Sequence, residues 1–273
     1  MKKSLLFAAF IAAVCSCSHD ESESVFNGSP VEETEVTLTF SPYEMTRTAT
    51  SIASVVTHLD VWITDGTTEV DAHQTNADAG FGSLSVTLDK TKTYTLYAIG
   101  HKAASSMTLT DGVLSFPDDK IKEAMWYTTT FSPATTTSLS CLMNRIVAQF
   151  RLEITDDIPA ECKSFRFTIT DVFDRWNVST GGTHQLDRVS NISYGGTSSV
   201  FSIYSIVTDA QTLHTVTVVA LDENGDEVQT RTFTDVPLRN GYRTSYRGQF
   251  FIDTPVASAF TVNDWTEYDT VDF

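Results

Sequence analysis

The sequence predicts an all-β protein built from two β-sandwich domains in tandem, with one short helix. About twelve short runs of alternating or continuous apolar residues are spaced along the chain, as is typical of sandwiches. Tight-turn pairs such as Asp65-Gly66 and Asn224-Gly225 separate several of these runs. A length of 273 residues suits two domains that each bury their own core.

The first residues have the pattern of an export signal. Lys2 and Lys3 provide a cationic start, and an apolar run follows over residues 5–14. This run is about half of the ~20 apolar residues that a transmembrane helix requires. The pattern therefore predicts a cleaved signal peptide at residues 1–16.

The signal is followed by a cysteine that we predict to be lipidated. Peptidases that cut beside a lipidated cysteine need a small residue directly before it and an aliphatic residue three positions before it. Cys17 has Ser16 and Val14 in these places, whereas Cys15 is preceded by bulky Val14. We therefore predict lipidation at Cys17, which fixes the chain to a membrane through its acyl chains. Residues 17–33 are polar and acidic and are expected to form a flexible tether.

The charge balance excludes polyanionic partners. The chain has 18 Lys+Arg and 35 Asp+Glu. Loss of residues 1–16 removes Lys2 and Lys3 and no acid, which leaves 16 basic against 35 acidic residues and a net charge of −19. Such a surface repels nucleic acid, so we predict no nucleic-acid partner.

Residues 34–140 are assigned to the N-terminal sandwich. Its first strand, 34–40, alternates apolar and polar residues, which predicts one buried and one wet face. Further strands are predicted at 55–64, 84–88 and 94–99, with a short hairpin around Asp111-Gly112. Residues 117–126 combine two acidic residues at the start with apolar residues at three- and four-residue spacing, which predicts the helix.

Residues 141–273 are assigned to the C-terminal sandwich. Residues 141–155 alternate clearly and are predicted to form one continuous strand, followed by a hairpin to 165–170. Residues 172–198 contain two Gly-Gly pairs and are predicted to be a long connection. Strands are then expected at 200–207, 213–221, 227–233, 243–252 and 260–265.

Two cysteines remain after the signal is removed. On the predicted hairpin, Cys162 lies opposite a residue near Thr155, more than ten residues along the strand from Cys141. At ~3.3 Å per residue, this separation is well outside the ~7 Å limit for a disulfide. We therefore predict two free and mostly buried thiols.

No motif for catalysis or metal binding is present. The loop at Asp222 lacks the glycine and glutamate that a calcium loop requires, and the histidines have no metal-ligand spacing. The acid pairs Asp118-Asp119 and Asp156-Asp157 are better explained as a helix start and a turn than as glycosidase carboxylates. We predict no catalytic residue, no metal, no cofactor and no enzymatic activity.

Trp176 is the candidate for a ligand platform. It lies between Arg175 and Asn177 in a predicted loop, where an exposed indole could stack on a sugar ring. The alternative is a packing role at the base of the loop. A glycan-binding surface lipoprotein is therefore kept as a second hypothesis.

Four segments form a recognisable set. They are the lipoprotein signal, Met45-Thr46-Arg47-Thr48-Ala49, Asn144-Arg145-Ile146-Val147-Ala148-Gln149-Phe150 and Leu238-Arg239-Asn240-Gly241-Tyr242-Arg243-Thr244 with Gly248-Gln249-Phe250. Together they resemble the fimbrillin superfamily of Bacteroidota, with the closest likeness to FimB-type fimbrial anchor lipoproteins, which implies an outer-membrane location. The acidic residues 18–23 also resemble the export signal that Bacteroidota-type lipoproteins carry after the cysteine, although a simple solvated linker explains them too. The resemblance implies two transthyretin-like sandwiches joined near residues 135–145, in a surface-exposed anchor or accessory subunit of a type V pilus.

The resemblance also implies an assembly mechanism. In polymerising fimbrillins, cleavage after an arginine removes the first strand, and the groove accepts a donor strand from a neighbouring pilin subunit. Arg47 is the matching, protease-accessible position here. Cleavage at Arg47 would separate Cys17 from the sandwich, so for an anchor we predict that Arg47 is not processed and that strand 34–40 stays in place.

Overall fold

The chain is built almost entirely of β-strands, which confirms the predicted all-β sandwich class. The computed structural model describes residues 32–43, 51–252 and 260–264. The elements in chain order are β1 (Glu33–Pro42), α1 (Ile52–Val55), β2 (His58–Thr64), β3 (Glu69–Thr75), β4 (Ser83–Asp89), β5 (Tyr94–His101), β6 (Thr108–Thr110), β7 (Val113–Ser115), a 3-10 turn (Pro117–Asp119), β8 (Ala124–Phe131), β9 (Ser138–Arg145), β10 (Ala148–Ile154), β11 (Ser164–Asn177), β12 (Gly181–Ser193), β13 (Val200–Ser205), β14 (Thr212–Leu221), β15 (Glu227–Leu238), β16 (Tyr242–Gly248) and β17 (Phe260–Asp264).

The first sandwich consists of two layers. One layer has the strand order β3-β2-β5-β8 and the other the order β9-β1-β4. The layers are linked where one end of β8 pairs with β9, at Met125 and Arg145. Apolar side chains from both layers, including Leu38 and Leu96, form one continuous core.

The second sandwich has its own core, rich in phenylalanine. One layer has the order β13-β10-β16-β17, and the other is centred on the long strand β11. The first part of β11 pairs with β14, its last three residues pair with β7, and β12 pairs along the opposite side. Phe150, Phe165 and Phe167 lie in the core between these layers.

The two sandwiches share a junction. The β6-β7 hairpin precedes β8 in the chain, yet it joins the sheet of the second sandwich through the pairing of β7 with β11. A third apolar cluster, which includes Trp62, Leu114, Val147 and Trp176, combines side chains from both sandwiches. The hairpin therefore connects the two cores.

The predicted helix over residues 117–126 is wrong. The structure has only a 3-10 turn at Pro117–Asp119, and Ala124–Phe131 forms β8. All eight residues of β8 pair with β5. A two-turn helix has negligible stability by itself, so sheet pairing overrides the helical spacing of the apolar residues.

Residues 141–155 do not form the single strand that we predicted. Its two parts belong to different sandwiches, β9 to the first and β10 to the second. The chain changes sheet at Ile146 and Val147, which are buried at the junction. The Ile146 amide bonds to the Ala124 carbonyl, whereas the Val147 carbonyl accepts from Gly241, and these opposing partners interrupt the strand.

The predicted long connection at 172–198 is also wrong. Most of it consists of the second part of β11 and the whole of β12. Over their full lengths, β11 and β12 pair at eleven positions with one register shift. The Gly-Gly pair at 181–182 begins β12 rather than a loop. Its glycines allow the Trp176 and Phe173 rings to pack directly against the backbone.

Candidate functional site: the first strand and its slot

β1 occupies the middle of its layer. It pairs antiparallel with β4, for example Leu38 with Leu84, and parallel with β9, for example Phe40 with Cys141. Both edges of its backbone are therefore hydrogen-bonded. We name the space between β4 and β9 that this strand fills the β1 slot.

The inward face of β1 is fully buried. Val36 and Leu38 are 0% exposed and Phe40 is 3% exposed. Burial of three such side chains contributes roughly 4–9 kcal/mol as an upper range. The outward residues are polar, and the Thr37 hydroxyl lies 3.3 Å from the Ser85 hydroxyl on β4. The alternation predicted for residues 34–40 is confirmed.

One end of the β1 slot is closed by α1 and Gly82. The Gly82 carbonyl accepts a hydrogen bond from the Phe40 amide at 2.8 Å. Gly82 has a φ of +88°, and a Cβ at this position would lie 2.5 Å from Cγ2 of Ile52 in α1. Only glycine fits both the backbone conformation and the contact.

Two of the three predicted site residues, Cys17 and Arg47, lie outside the described residues. Tyr43 is the last described residue before the segment that contains Arg47, and its amide bonds to the Met143 carbonyl at 2.8 Å. The Tyr43 side chain is 51% exposed and Leu142 on β9 is 50% exposed. An exposed apolar pair therefore lies at the end of β1 that precedes residues 44–50.

Trp176, the third predicted residue, is not an exposed platform. It lies in β11, where it pairs with Gly182 on β12 and Leu114 on β7. The side chain is 9% exposed, and its ring packs 3.5 Å from the Cβ position of Gly181. The predicted loop position is wrong, because Trp176 belongs to β11, and its buried position agrees with the packing alternative.

A buried carboxylate that the sequence analysis did not single out lies in the first sandwich. Asp60 on β2 is 0% exposed, and its oxygens lie 2.8 Å from Nδ1 of His73 and 2.9 Å from Nε2 of His101. The Met107 amide donates to the same carboxylate at 2.7 Å. Burial alone would raise the pKa of Asp60, but these hydrogen bonds and the nearby His101 lower it below its ordinary value.

The hydrogen bonds of His101 define its tautomer. The Ala103 amide donates to Nδ1 at 3.1 Å, so the ring proton is on Nε2 and is donated to Asp60. His58 stacks on His101 with ring centroids 5.2 Å apart. Burial, followed by the proximity of His101, lowers the pKa of His58.

This cluster holds the backbone between β5 and β6 in place. Its donors are the amides of Ala103 and Met107, which belong to that connection. The sequence of β2 contains one signal for this cluster, because Asp60 is a charged residue within a continuously buried, mostly apolar strand. Within the described ranges, no group of three or more His, Cys, Asp or Glu side chains is placed to hold a metal ion.

The remaining sequence candidates have structural roles. Asp156 accepts hydrogen bonds from the amides of Phe250, Phe251 and Ile252, at 2.7, 2.7 and 3.0 Å. Asp222 accepts from Asn224 and Asp226 within its turn.

The two cysteine thiols also match the sequence analysis. Cys141 and Cys162 are free and buried, as predicted. Burial raises the pKa of the Cys141 thiol to about 12. In the part of the chain that is described, no helix has the length and apolar character needed to cross a membrane.

Comparison with solved structures shows the class of fold. The chain is similar to a proposed adhesin from Bacteroides thetaiotaomicron, with 14% identity, a TM-score of 0.52, and coverage of 87% of this chain and 98% of that one. It is also similar to a proposed adhesin from Bacteroides ovatus, with 14% identity, a TM-score of 0.54 and coverage of 84% and 96%. A third similar structure is a proposed polysaccharide-binding protein (DUF1812) from Bacteroides thetaiotaomicron, with 11% identity, a TM-score of 0.54 and coverage of 85% and 96%.

The likeness is one of fold. No protein-family model and no curated protein matches the sequence. The alignments cover 98% and 96% of the two adhesin chains. The similarity therefore extends over both sandwiches rather than one. The fold agrees with the family resemblance noted from the sequence.

Proposed function

We propose that this chain is a lipid-anchored surface protein of the outer membrane that serves as an anchor or accessory subunit of a type V fimbria. The observation that carries the proposal is the filled β1 slot. Strand complementation needs an empty groove, and here β1 pairs on both sides and buries Val36, Leu38 and Phe40. A mature subunit that keeps this strand would not accept a donor strand here, which suits the base or end of a fibre, and whether the strand is kept is tested at Arg47 below.

The comparisons support the adhesion part of this proposal. Two of the similar structures are proposed adhesins, and the fold is shared over 84–87% of this chain. Partners of the kind we propose are fimbrial subunits that contribute strands. Fold similarity to adhesins and the absence of recognisable catalytic motifs favour a role in binding over enzymatic activity.

The lipid anchor is tested by the distribution of the protein between membrane and medium. We expect Cys17→Ala to move the protein out of the outer-membrane fraction, since the acyl chains would be lost. Cys15→Ala is the matched control and should leave the distribution unchanged. Retention of the Cys17→Ala protein in the outer membrane would contradict the anchor.

Arg47 gives a test of anchor against stalk. Mass spectrometry of the surface protein should show a mature chain that begins at a lipidated Cys17 and still contains residues 33–42. A mature chain that begins at Thr48 would contradict the anchor proposal and favour a stalk or tip subunit.

The partner is tested by purification of the membrane-extracted protein with its bound subunits. We expect a pilin-like subunit to co-purify. Recovery without any such subunit would contradict the fimbrial part of the proposal. We do not propose the glycan-binding alternative, because the indole of Trp176 is buried and presents no free face.

A further inference from the structure

The second sandwich is open along one side. β12 pairs only with β11, and β13 pairs only with β10, so their other edges have no partner strand among the described residues. A cleft of about 870 Å³ lies between the two edges and is lined also by residues 118–122. We call it the β12-β13 cleft.

The side chains of β12 alternate between the interior of the sandwich and solvent. Arg188, Ser190 and Ile192 pair with Ile169, Phe167 and Phe165, whose side chains are in the core. These β12 residues therefore face inward, at the mouth of the sandwich. Their neighbours face outward, and Val189 is 52% exposed.

Arg188 is a buried cation with no ion-pair partner among the residues that the structure describes. The residue is 9% exposed, and its only hydrogen bond within the described residues runs from Nη2 to the Asp119 carbonyl at 2.8 Å. Its Nε is buried and has no hydrogen-bond partner there. Burial lowers the pKa of the guanidinium, and Asp174 and Asp119 offset this only by longer-range attraction. A buried charge without a close counter-ion is costly, and an anion bound beside Arg188 would offset this cost.

The charges around the cleft favour an anionic ligand. Its lining contains the basic residues Lys120, Lys122 and Arg188 against the acidic residues Asp118 and Asp119. Three cations against two acids make the cleft locally positive, on a chain whose net charge is −17. An anionic group is therefore attracted to this cleft and repelled elsewhere.

We propose that the β12-β13 cleft binds an extended peptide segment of a partner protein, which adds as a strand to the free edge of β12 and places a carboxylate against Arg188. An edge strand of 13 residues presents a row of backbone donors and acceptors that a peptide strand can satisfy. A carboxylate forms two parallel hydrogen bonds with a guanidinium, and the Nε of Arg188 has no hydrogen-bond partner within the described residues. The site is separate from the β1 slot, which is in the first sandwich.

The geometry also specifies the peptide sequence. Residues of an added strand that face inward lie opposite inward residues of β12, so alternate positions meet Leu186, Arg188, Ser190 and Ile192. The expected ligand has an apolar, an acidic, a small and an apolar residue at every second position. An acidic residue outside this spacing would not reach Arg188.

The test is a selection of random twelve-residue displayed peptides on the full chain. Arg188→Gln serves as the parallel target, and Arg166→Gln is the matched control because Arg166 is exposed on the same sheet. We expect wild type and Arg166→Gln to enrich peptides with one acidic residue flanked by apolar residues at even spacing, and Arg188→Gln not to enrich them. A selected peptide, synthesised with its acid or with glutamine, should bind wild type at least about tenfold tighter in the acidic form by titration calorimetry.

Several outcomes would overturn the proposal. They are the absence of any enriched peptide, the same peptides on Arg188→Gln, or equal affinity of the acidic and glutamine forms. Trigalacturonic acid, a sugar acid, is the probe for a different ligand class. Its binding to wild type but not to Arg188→Gln, without peptide enrichment, would assign the cleft to acidic glycans instead. A single cooperative thermal transition and a wild-type circular dichroism spectrum are the check that Arg188→Gln is folded.

Discussion

At the residue scale, two glycines with the same backbone conformation have different surroundings. Gly66 has a φ of +90° and Gly82 a φ of +88°. A Cβ at Gly66 would meet nothing within 4 Å, whereas one at Gly82 would lie 2.5 Å from Ile52. A comparison of substitutions at the two positions therefore separates the free-energy cost of the left-handed backbone from the cost of a steric clash at the β1 slot.

We predict that Gly82→Ala destabilises the protein more than Gly66→Ala does. Gly66→Ala should cost about 1–2 kcal/mol, because alanine is strained at positive φ. Gly82→Ala adds overpacking against Ile52, which costs typically another ~1–3 kcal/mol. Urea denaturation measures both, and equal losses would show that α1 moves away without cost.

The pKa of His58 predicts how stability depends on pH. The folded-state pKa is below the ordinary value of 6.5, so the unfolded chain binds more protons as the pH falls. Stability contributed by neutral His58 is therefore present above pH 6.5 and is lost as the pH falls from there towards the folded-state pKa. Denaturation between pH 7.5 and pH 5 should show this loss, and His58→Gln should reduce it. An unchanged slope in His58→Gln would contradict the prediction.

At the element scale, β1 is the strand on which the proposed function depends, because the anchor proposal requires that it stays in the mature protein. The sequence pattern predicted its buried face correctly, but it did not predict which strands pair with it. β4 is the next strand of this layer along the chain. β9 begins about a hundred residues after β1 and pairs with it in parallel. Side-chain alternation identifies a half-buried strand but does not identify the strands on either side.

We predict that Leu38→Ala and Leu142→Ala have very different effects, although both leucines are on neighbouring strands. Leu38 is 0% exposed and Leu142 is 50% exposed. Leu38→Ala should cost about 2–5 kcal/mol through lost burial and a cavity, and Leu142→Ala within about 0.5 kcal/mol. Chemical denaturation compares them. A small loss for Leu38→Ala would mean that β1 contributes little and that the β1 slot is easily emptied.

At the scale of the whole molecule, the chain length predicts two separate cores, whereas the structure joins them through a shared apolar cluster. Leu114 on β7 is 0% exposed, lies in the shared apolar cluster and pairs with Trp176 of the second sandwich. Asp60 and its histidines hold the connection that leads into this hairpin. The two sandwiches are therefore expected to unfold together.

We predict that the wild-type chain unfolds in one calorimetric transition and that Leu114→Ala separates it into two. The substitution removes packing from the shared cluster, while each sandwich keeps its own core. Leu96→Ala is the control, since Leu96 is also 0% exposed but lies in the core of the first sandwich. Two transitions in the wild type would contradict a cooperative junction.

The sequence by itself determined the all-β class, the buried face of β1 and the acidic surface, because each follows from local alternation, strand spacing or composition. The thiols of Cys141 and Cys162 are free as predicted, but the single strand from which we argued this does not exist. Only the tertiary structure decided that residues 117–126 are not a helix, that the strand after Cys141 divides at Ile146 and Val147, and that Trp176 is buried. Those outcomes depend on which distant backbone groups and side chains meet, as in the pairing of β8 with β5 and of β7 with β11. Such long-range pairing stabilises the chain more than a two-turn helix or an exposed loop does. A short window of the sequence does not include the distant partners, so it cannot predict this pairing.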